Sequence, residues 1–236
     1  MSKKIIALVP AAGIGARARR KSTAAILKPD LPKQYELLNG LPMLRLSVMA
    51  MLADSRIDQV RVIVSPTDTW VAQALHGLER VVWRHVGGET RAETVRNGLA
   101  DLQAAEEDWV VVHDAARPGL PAEALTRLID TCLAHDRGGL LAIPVPDTVK
   151  RAADHHAPQV EQTVERDLLW LAQTPQMFKA QELLHALQKA QQQSLSVTDE
   201  SSAMELQGVK PMLVPGSVQN FKVTWPGDFQ LLEKWL

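Results

Sequence analysis

The chain has 236 residues, of which 46% are hydrophobic and 22% charged, and a formal net charge of -1. That composition is globular, which excludes a disordered or fibrous chain, and the near-neutral balance excludes a bulk field for nucleic acid, so any phosphate site must be built from locally placed cations. The single cysteine, Cys132, excludes an intrachain disulfide and a multi-cysteine metal site, as expected of a cytoplasmic protein.

Met1-Ser2-Lys3-Lys4 precedes only five apolar residues, Ile5 to Val9, too few for the core of a signal peptide or for a membrane span. A cytoplasmic location with no membrane partner is therefore expected. Ile5–Val9 reads as a buried strand that runs into Pro10-Ala11-Ala12-Gly13-Ile14-Gly15-Ala16-Arg17, with Pro32-Lys33-Gln34 following. Glycines there let backbone N–H groups close on phosphate oxygens, and Arg17 and Lys33 add full charges, so this strand end predicts a nucleotide site. Between them, the stretch from Ala18 to Leu31 carries Arg19, Arg20, Lys21 and Lys28. It fits either a solvated loop or a basic lid over a triphosphate.

Further apolar runs at Val60–Val64, Val81–Trp83, Trp109–Val112 and Leu140–Ile143 suit strands buried on both faces. Leu44, Val48, Met51 and Leu52 share one helical face between them, as do Val95, Leu99 and Leu102, and then Leu125, Leu128, Ile129 and Cys132. The βαβα alternation predicts a mostly parallel twisted sheet with helices on both faces and a ligand crevice outside the carboxyl ends of the strands. Cys132 belongs to the core in that arrangement.

Two strand ends send polar groups toward the crevice. Gly87-Gly88-Glu89-Thr90-Arg91-Ala92-Glu93-Thr94 has the spacing of a capping box between Thr90 and Glu93, and its free N–H groups also suit a nucleobase edge or ribose. The strand Trp109–Val112 ends in His113-Asp114-Ala115-Ala116-Arg117-Pro118. Asp114 emerges where a metal bridging phosphates would need a hard ligand, although it could equally cap the next turn while Arg117 pairs with a carboxylate. His113, on the opposite face from Asp114, is expected to be structural.

Beyond Pro144 the period changes. Asp147–Arg151 and Val160–Glu165 alternate about a polar stretch and predict a β-hairpin arm over residues 145–170 of a single 1–236 domain. Two strands alone are marginal in water, so the arm should pack on another chain, most economically a second copy in a two-fold dimer. Next come Leu171–Gln176 with Thr174-Pro175, a helix around Ala180 to Gln191, and Thr198-Asp199-Glu200-Ser201 opening another helix, with Thr198 or Asp199 as its cap. Lys210–Val214 and Asn220–Thr224 read as short strands, and Pro226 starts a final helix that reaches Leu236. Lys222, a cation in an apolar segment, either snorkels or faces a phosphate.

Eight blocks in order carry a resemblance over nearly the full length: Pro10–Gly15 with Arg17, Pro32-Lys33-Gln34-Tyr35, Gly87–Arg91, His113–Pro118, Asp147–Lys150, Thr174-Pro175-Gln176, Thr198-Asp199-Glu200 and Asn220–Thr224. The chain resembles the 2-C-methyl-D-erythritol 4-phosphate cytidylyltransferase family of the non-mevalonate isoprenoid pathway. The resemblance implies a three-layer α/β, Rossmann-like nucleotidyltransferase fold and a Mg²⁺-dependent transfer of a cytidylyl group from CTP to methylerythritol phosphate, with release of pyrophosphate. It implies that Arg17 and Lys33 stabilise the transition state at the α-phosphorus. Arg166 and Lys222 would hold the acceptor phosphate, with Asp114 and Thr148 near it. The nucleotide would be bound by Pro10, Ala11, Ala12, Gly13, Gly15, Gly88, Glu89, Thr94 and Ala115. In the family the arm bearing Thr148 and Arg166 reaches into the partner subunit's site.

No general base is expected, because a phosphate monoester is already ionised near neutral pH and is its own nucleophile. Departures from the family pattern include the long stretch from Ala18 to Leu31, Ala16 in place of a polar or basic residue, and Glu89 where aspartate is common. Trp225 also stands where a smaller or charged residue is usual. The alternatives are another sugar-phosphate cytidylyltransferase, such as one acting on ribitol 5-phosphate, a dinucleotide-dependent oxidoreductase and a non-enzymatic nucleotide- or RNA-binding module. Gly13-x-Gly15-x-x-Ala18 formally fits a dinucleotide fingerprint, but Pro29 and Pro32 interrupt the helix and strand that it requires. No aromatic array interleaves the basic run for RNA stacking.

Overall fold

The computed structural model describes residues 3–13, 31–154 and 159–236. In chain order the strands are β1 (Ile5–Pro10), β2 (Leu37–Leu38), β3 (Leu41–Pro42), β4 (Ile57–Ile63), β5 (Val81–Arg84), β6 (Trp109–Val112), β7 (Gly139–Pro144), β8 (Val149–Ala152), β9 (Val160–Val164), β10 (Trp170–Lys179) and β11 (Met212–Pro215). The helices are α1 (Met43–Leu52), α2 (Val71–Ala74), α3 (Arg91–Leu102), α4 (Ala122–His135), α5 (Ala180–Gln192), α6 (Glu200–Glu205) and α7 (Pro226–Glu233).

A seven-stranded sheet runs in the order β11-β7-β10-β6-β1-β4-β5. Every neighbouring pair is parallel except those of β10, which is antiparallel to both β6 and β7. The two-residue period of the strands sorts the core into two layers. Ala7, Val9, Trp109 and Val111 face the cluster shared with α1 and α4, whereas Leu8, Val110 and Val112 face the one shared with α3 and α5. The result is the expected three-layer fold. Helix α3 lies close on the sheet because residue 98 is glycine: a Cβ there would come within 2.6 Å of Ile63 Cγ1 and 2.9 Å of Leu8 Cδ1. Cys132 is fully buried, and burial pushes its thiol up to about 12, an inert core group.

β8 and β9 form the separate antiparallel arm, pairing Val149 with Val164 and Lys150 with Thr163. Two expectations at the C-terminal end are corrected. Asn220–Thr224 is not a strand: Val218–Asn220 is a 3-10 turn and the segment after it is extended without ladder partners in any sheet. Its apolar alternation serves local packing instead, with Val223 buried beside Phe229 and Leu232, and Phe221 edge-on to Trp235 at 5.7 Å. The last helix ends at Glu233, not Leu236.

Candidate active site

β1 lies between β4 and β6, so the chain leaves it toward one side of the sheet for β4 and β5 and toward the other for β6. The crevice at that switch point, outside the carboxyl ends of the strands, is where ligands settle in such sheets. A cavity of about 200 Å³ opens there, floored by Pro10, Ala11, Ala12 and Gly13 after β1 and by Asp114, Ala115 and Ala116 after β6. Lys33 and Lys222 reach it from remote segments, and Gly88, Glu89 and Thr94 close the far wall.

Each wall has a local cause. Gln34, buried in the 3-10 turn Lys33–Tyr35, donates its side-chain amide to the Ala11 carbonyl at 2.8 Å and so presses the turn against the end of β1. Behind it, the Tyr35 hydroxyl donates to Asp68 at 2.6 Å; burial, with Asp68 adding to it, drives the phenol well above its usual range, so it stays protonated. Gly87 donates its N–H to the Val64 carbonyl at 2.9 Å. A Cβ on Gly87 would lie 2.4 Å from Ala12 Cβ and 2.6 Å from that carbonyl, so only glycine lets this loop close on β1.

Only half of the capping box forms at the start of α3. The Thr90 hydroxyl accepts the Glu93 N–H at 3.1 Å, but the Glu93 carboxylate takes the N–H of Glu89 instead of that of Thr90. Thr94 is buried, and its hydroxyl accepts the Gly88 N–H and donates to the Thr90 carbonyl at 2.9 Å, which moulds the glycine loop.

Asp114 is the electrostatic centre. Its Oδ1 accepts from Arg91 Nε at 2.8 Å, its Oδ2 accepts from Lys222 Nζ at 2.8 Å, and Arg117 Nε lies 3.7 Å from Oδ2. Burial alone would raise this carboxyl, but the charges of Arg91, Lys222 and Arg117 outweigh it and hold Asp114 far below the usual carboxylate range. The terminal nitrogens of Arg91 fork onto both oxygens of Glu200 at 2.7 and 3.0 Å. Burial opposes the Arg91 charge, and Glu200 and Asp114 more than reverse that, so the guanidinium stays protonated.

His113 is fully buried, as its place on the other face implied. Its Nε2 lies 3.0 Å from the Arg117 carbonyl, which can only accept, so Nδ1 is left to accept from the Thr174 hydroxyl at 3.2 Å. That hydroxyl in turn accepts the Asp114 N–H at 3.0 Å. His113 thus orients Asp114 through Thr174.

One expectation fails at this site. Asp114 does not suit a metal: both of its oxygens already face cations, and a divalent ion would meet three positive side chains. Among the described residues no three His, Cys, Asp or Glu side chains gather as metal ligands. Arg17 and Gly15, with the Arg19–Lys28 stretch that fits either a loop or a lid, lie outside the described residues. Thr148 and Arg166 do not line the cavity; both are exposed on the arm, where the Arg166 guanidinium meets the Pro146 carbonyl. Sequence reasoning missed the roles of Gln34, Arg91, Thr174 and Glu200, although each stands in one of the eight blocks.

Residues 5–236 match the family described as 2-C-methyl-D-erythritol 4-phosphate cytidylyltransferase. The chain belongs to that family. Enzymes of that name from Bordetella pertussis and Bordetella petrii are 60% and 59% identical to it, each over the whole of both chains. The enzyme of that name from Francisella tularensis has a solved structure that superposes with a TM-score of 0.82 at 32% identity, covering all of both chains. The crystal structure of a 4-diphosphocytidyl-2C-methyl-D-erythritol synthase superposes with a TM-score of 0.83 at 40% identity, covering 100% of this chain and 99% of the other. Among the described residues no helix is long and apolar enough to cross a membrane.

Proposed function

We propose that the switch-point cavity transfers a cytidylyl group from CTP to 2-C-methyl-D-erythritol 4-phosphate, giving 4-diphosphocytidyl-2-C-methyl-D-erythritol and pyrophosphate for isoprenoid synthesis. The observation that carries this is the convergence of Pro10–Gly13, Lys33, Gly88–Thr94, Asp114–Ala116 and Lys222 on one cavity in a chain that matches the family from residue 5 to its last residue. An oxygen of the acceptor phosphate attacks the α-phosphorus, a new P–O bond forms as the bond to the β-phosphate oxygen breaks, and the electron pair leaves with pyrophosphate. Negative charge spreads over the equatorial oxygens at that moment. Preorganised cations are worth roughly 10²–10³ in rate each in such a state, and Lys33 and Arg17 are assigned that task.

The backbone of Pro10–Gly13 and the Gly88–Thr94 turn receive the nucleotide, with Glu89 and Ala115 beside it. Lys222 and Asp114 face the acceptor. Arg166 and Thr148 complete that half of the site from the arm of a partner subunit in a homodimer. Two features support the dimer: Leu168 is 93% exposed at φ +68°, and Val160 and Leu169 are also exposed on the same arm. The single domain with its 145–170 arm is then one half of a two-fold assembly. Mg²⁺ belongs to this reading: it would be held chiefly by the triphosphate's own oxygens, which are hard ligands, and would offset the charge that builds on the departing pyrophosphate. The single buried thiol supports a reducing, cytoplasmic setting, and the net charge supports small-molecule partners with neither nucleic acid nor membrane.

The test is pyrophosphate release from CTP and Mg²⁺ with methylerythritol phosphate or with ribitol 5-phosphate, in wild type, Lys33→Ala and Arg166→Ala. Turnover with the first acceptor only, lost in both variants, supports the assignment. Equal activity in all three proteins removes the residue roles, and preference for ribitol 5-phosphate removes the acceptor.

A further inference from the structure

Glu200 opens α6 but is only 1% exposed, an unusual state for a carboxylate at a helix start. Its placement is fixed from both sides. Asp199 caps α6 by accepting the Ser202 N–H at 2.9 Å, and the Ser201 N–H donates to the Gln176 side chain at 2.7 Å, while Gln176 also donates to Asp199 at 2.9 Å. Glu200 therefore presents both oxygens to Arg91, whose third nitrogen, Nε, donates to Asp114, whose other oxygen holds Lys222. The contacts run unbroken from α6 to the extended segment that carries Lys222.

We propose that Glu200 is a positioning residue for the acceptor: by occupying the fork of Arg91 it keeps that guanidinium off Asp114 Oδ2 and off the incoming phosphate, leaving Lys222 to meet the acceptor. This rests on the assignment of Lys222 as an acceptor-phosphate ligand. The geometry explains why the clamp is needed. Arg91 approaches from the N-terminus of α3, within the Gly88–Thr94 wall, and a fork without Glu200 would have both terminal nitrogens released beside Asp114. A planar guanidinium binds a carboxylate or phosphate in two-point fashion and outcompetes an ammonium for it. Lys222 would lose its anchor and with it the position from which it meets the phosphate. It is the most exposed of the three cations around Asp114, 43% exposed against 26% for Arg91 and 11% for Arg117.

The experiment measures KM for each substrate and thermal unfolding in wild type, Glu200→Gln, Glu200→Asp and Lys222→Ala. In Glu200→Gln the KM for methylerythritol phosphate is expected to rise about tenfold or more, the worth of one charge-assisted hydrogen bond, while KM for CTP stays within about twofold. A merely structural role would move both constants together with the melting temperature. Glu200→Asp keeps the charge but retracts it by one methylene, and is expected to shift the acceptor KM in the same direction by a smaller factor; it decides the matter if the Gln variant does not fold. An unchanged acceptor KM in either folded Glu200 variant, while Lys222→Ala raises it, overturns the role of Glu200 alone. An unchanged acceptor KM in Lys222→Ala overturns the assignment of Lys222 and the inference with it.

Discussion

The ammonium of Lys33 sits 2.6 Å from the carbonyl oxygen of Val223, the residue that follows Lys222. One contact therefore joins the segment that bears the proposed transition-state cation to the segment that bears the proposed acceptor cation, 190 residues apart in sequence. Val223 is itself fixed, since its N–H donates to the Ala116 carbonyl at 2.9 Å and its side chain is buried beside Phe229. Lys33 is thus preorganised at the cavity before substrate arrives.

For Lys33→Met the expected outcome is a fall in kcat of roughly 10²–10³. The stability change should be about 1–3 kcal/mol, because the buried Val223 carbonyl loses its charged donor while the methylene stem is kept. Rapid-quench turnover with saturating CTP, set beside a thermal melt, checks both. A melt unchanged with kcat unchanged would remove Lys33 from the chemistry.

The buried imidazole of His113 makes stability depend on pH. Burial is the largest effect on this ring and outweighs the pull of the Asp114 charge, lowering its value from about 6.5 to about 4. The unfolded chain therefore binds one more proton than the folded chain between those values. Stability from this group is complete above pH 6.5 and is lost as the pH falls toward 4, by about 3 kcal/mol in all. Asp114 does not share that window, because its own depressed value makes its contribution disappear only below the ordinary carboxylate range. His113→Gln should be less stable than wild type at pH 7.5 and lose less stability between pH 6.5 and 4.5. Urea midpoints at four pH values in that interval measure it, and parallel pH slopes for the two proteins would contradict it.

The fold was legible wherever burial imposed a periodicity. β1, β6 and β7 are buried apolar runs and β4 is largely buried from Val60 to Ile63, whereas β5, expected to be buried on both faces, is a half-buried edge strand; the four longer helices show apolar faces at helical spacing. β10 was less so, because Gln173, Thr174, Pro175 and Gln176 interrupt it. Its ladder to β7 shifts register between Ala172 and Gln176, which leaves room for a proline that cannot donate. Asn220–Thr224 misled for the opposite reason: the alternation of Phe221 and Val223 is real, but it feeds a small cluster with Leu38, Met43 and Phe229 rather than a sheet face. In the site, the glycine loops, Lys33, Asp114 and Lys222 announce themselves as residue types. Glu200 and Arg91 do not, since their pairing spans 109 positions and a carboxylate at a helix start reads as a solvated cap until its burial is known.

Gly87 offers a test of how the nucleotide wall is held. With a Cβ the loop must move away from Ala12 Cβ and the Val64 carbonyl, and both are anchored, the latter being the partner of the Gly87 N–H itself. Gly87→Ala is expected to cost about 1–3 kcal/mol of stability by overpacking and to raise KM for CTP more than KM for the acceptor. Gly227→Ala is the control, because a Cβ there meets nothing within 4 Å and the residue does not line the cavity. Denaturant midpoints and the two KM values separate them; equal effects of the two substitutions would mean that close approach is not what residue 87 supplies.

Leu168 tests the arm. A leucine left 93% exposed at φ +68° is disfavoured twice, once by its apolar surface in water and once by a left-handed backbone, which costs a residue with a Cβ about 1–2 kcal/mol. Arg166 shares this turn, its carbonyl accepting the Leu169 N–H at 2.9 Å, so whatever covers Leu168 lies beside Arg166. Covering by a second copy makes activity and assembly rise together. Wild type is expected to sediment as a dimer at micromolar concentration, and Leu168→Asp to weaken that dimer at least about tenfold, because a charge replaces buried apolar surface. The variant's specific activity should then climb with protein concentration while wild type stays flat. Sedimentation of wild type as a monomer, or a dissociated variant with full specific activity, would separate the arm from catalysis and return Arg166 and Thr148 to the surface.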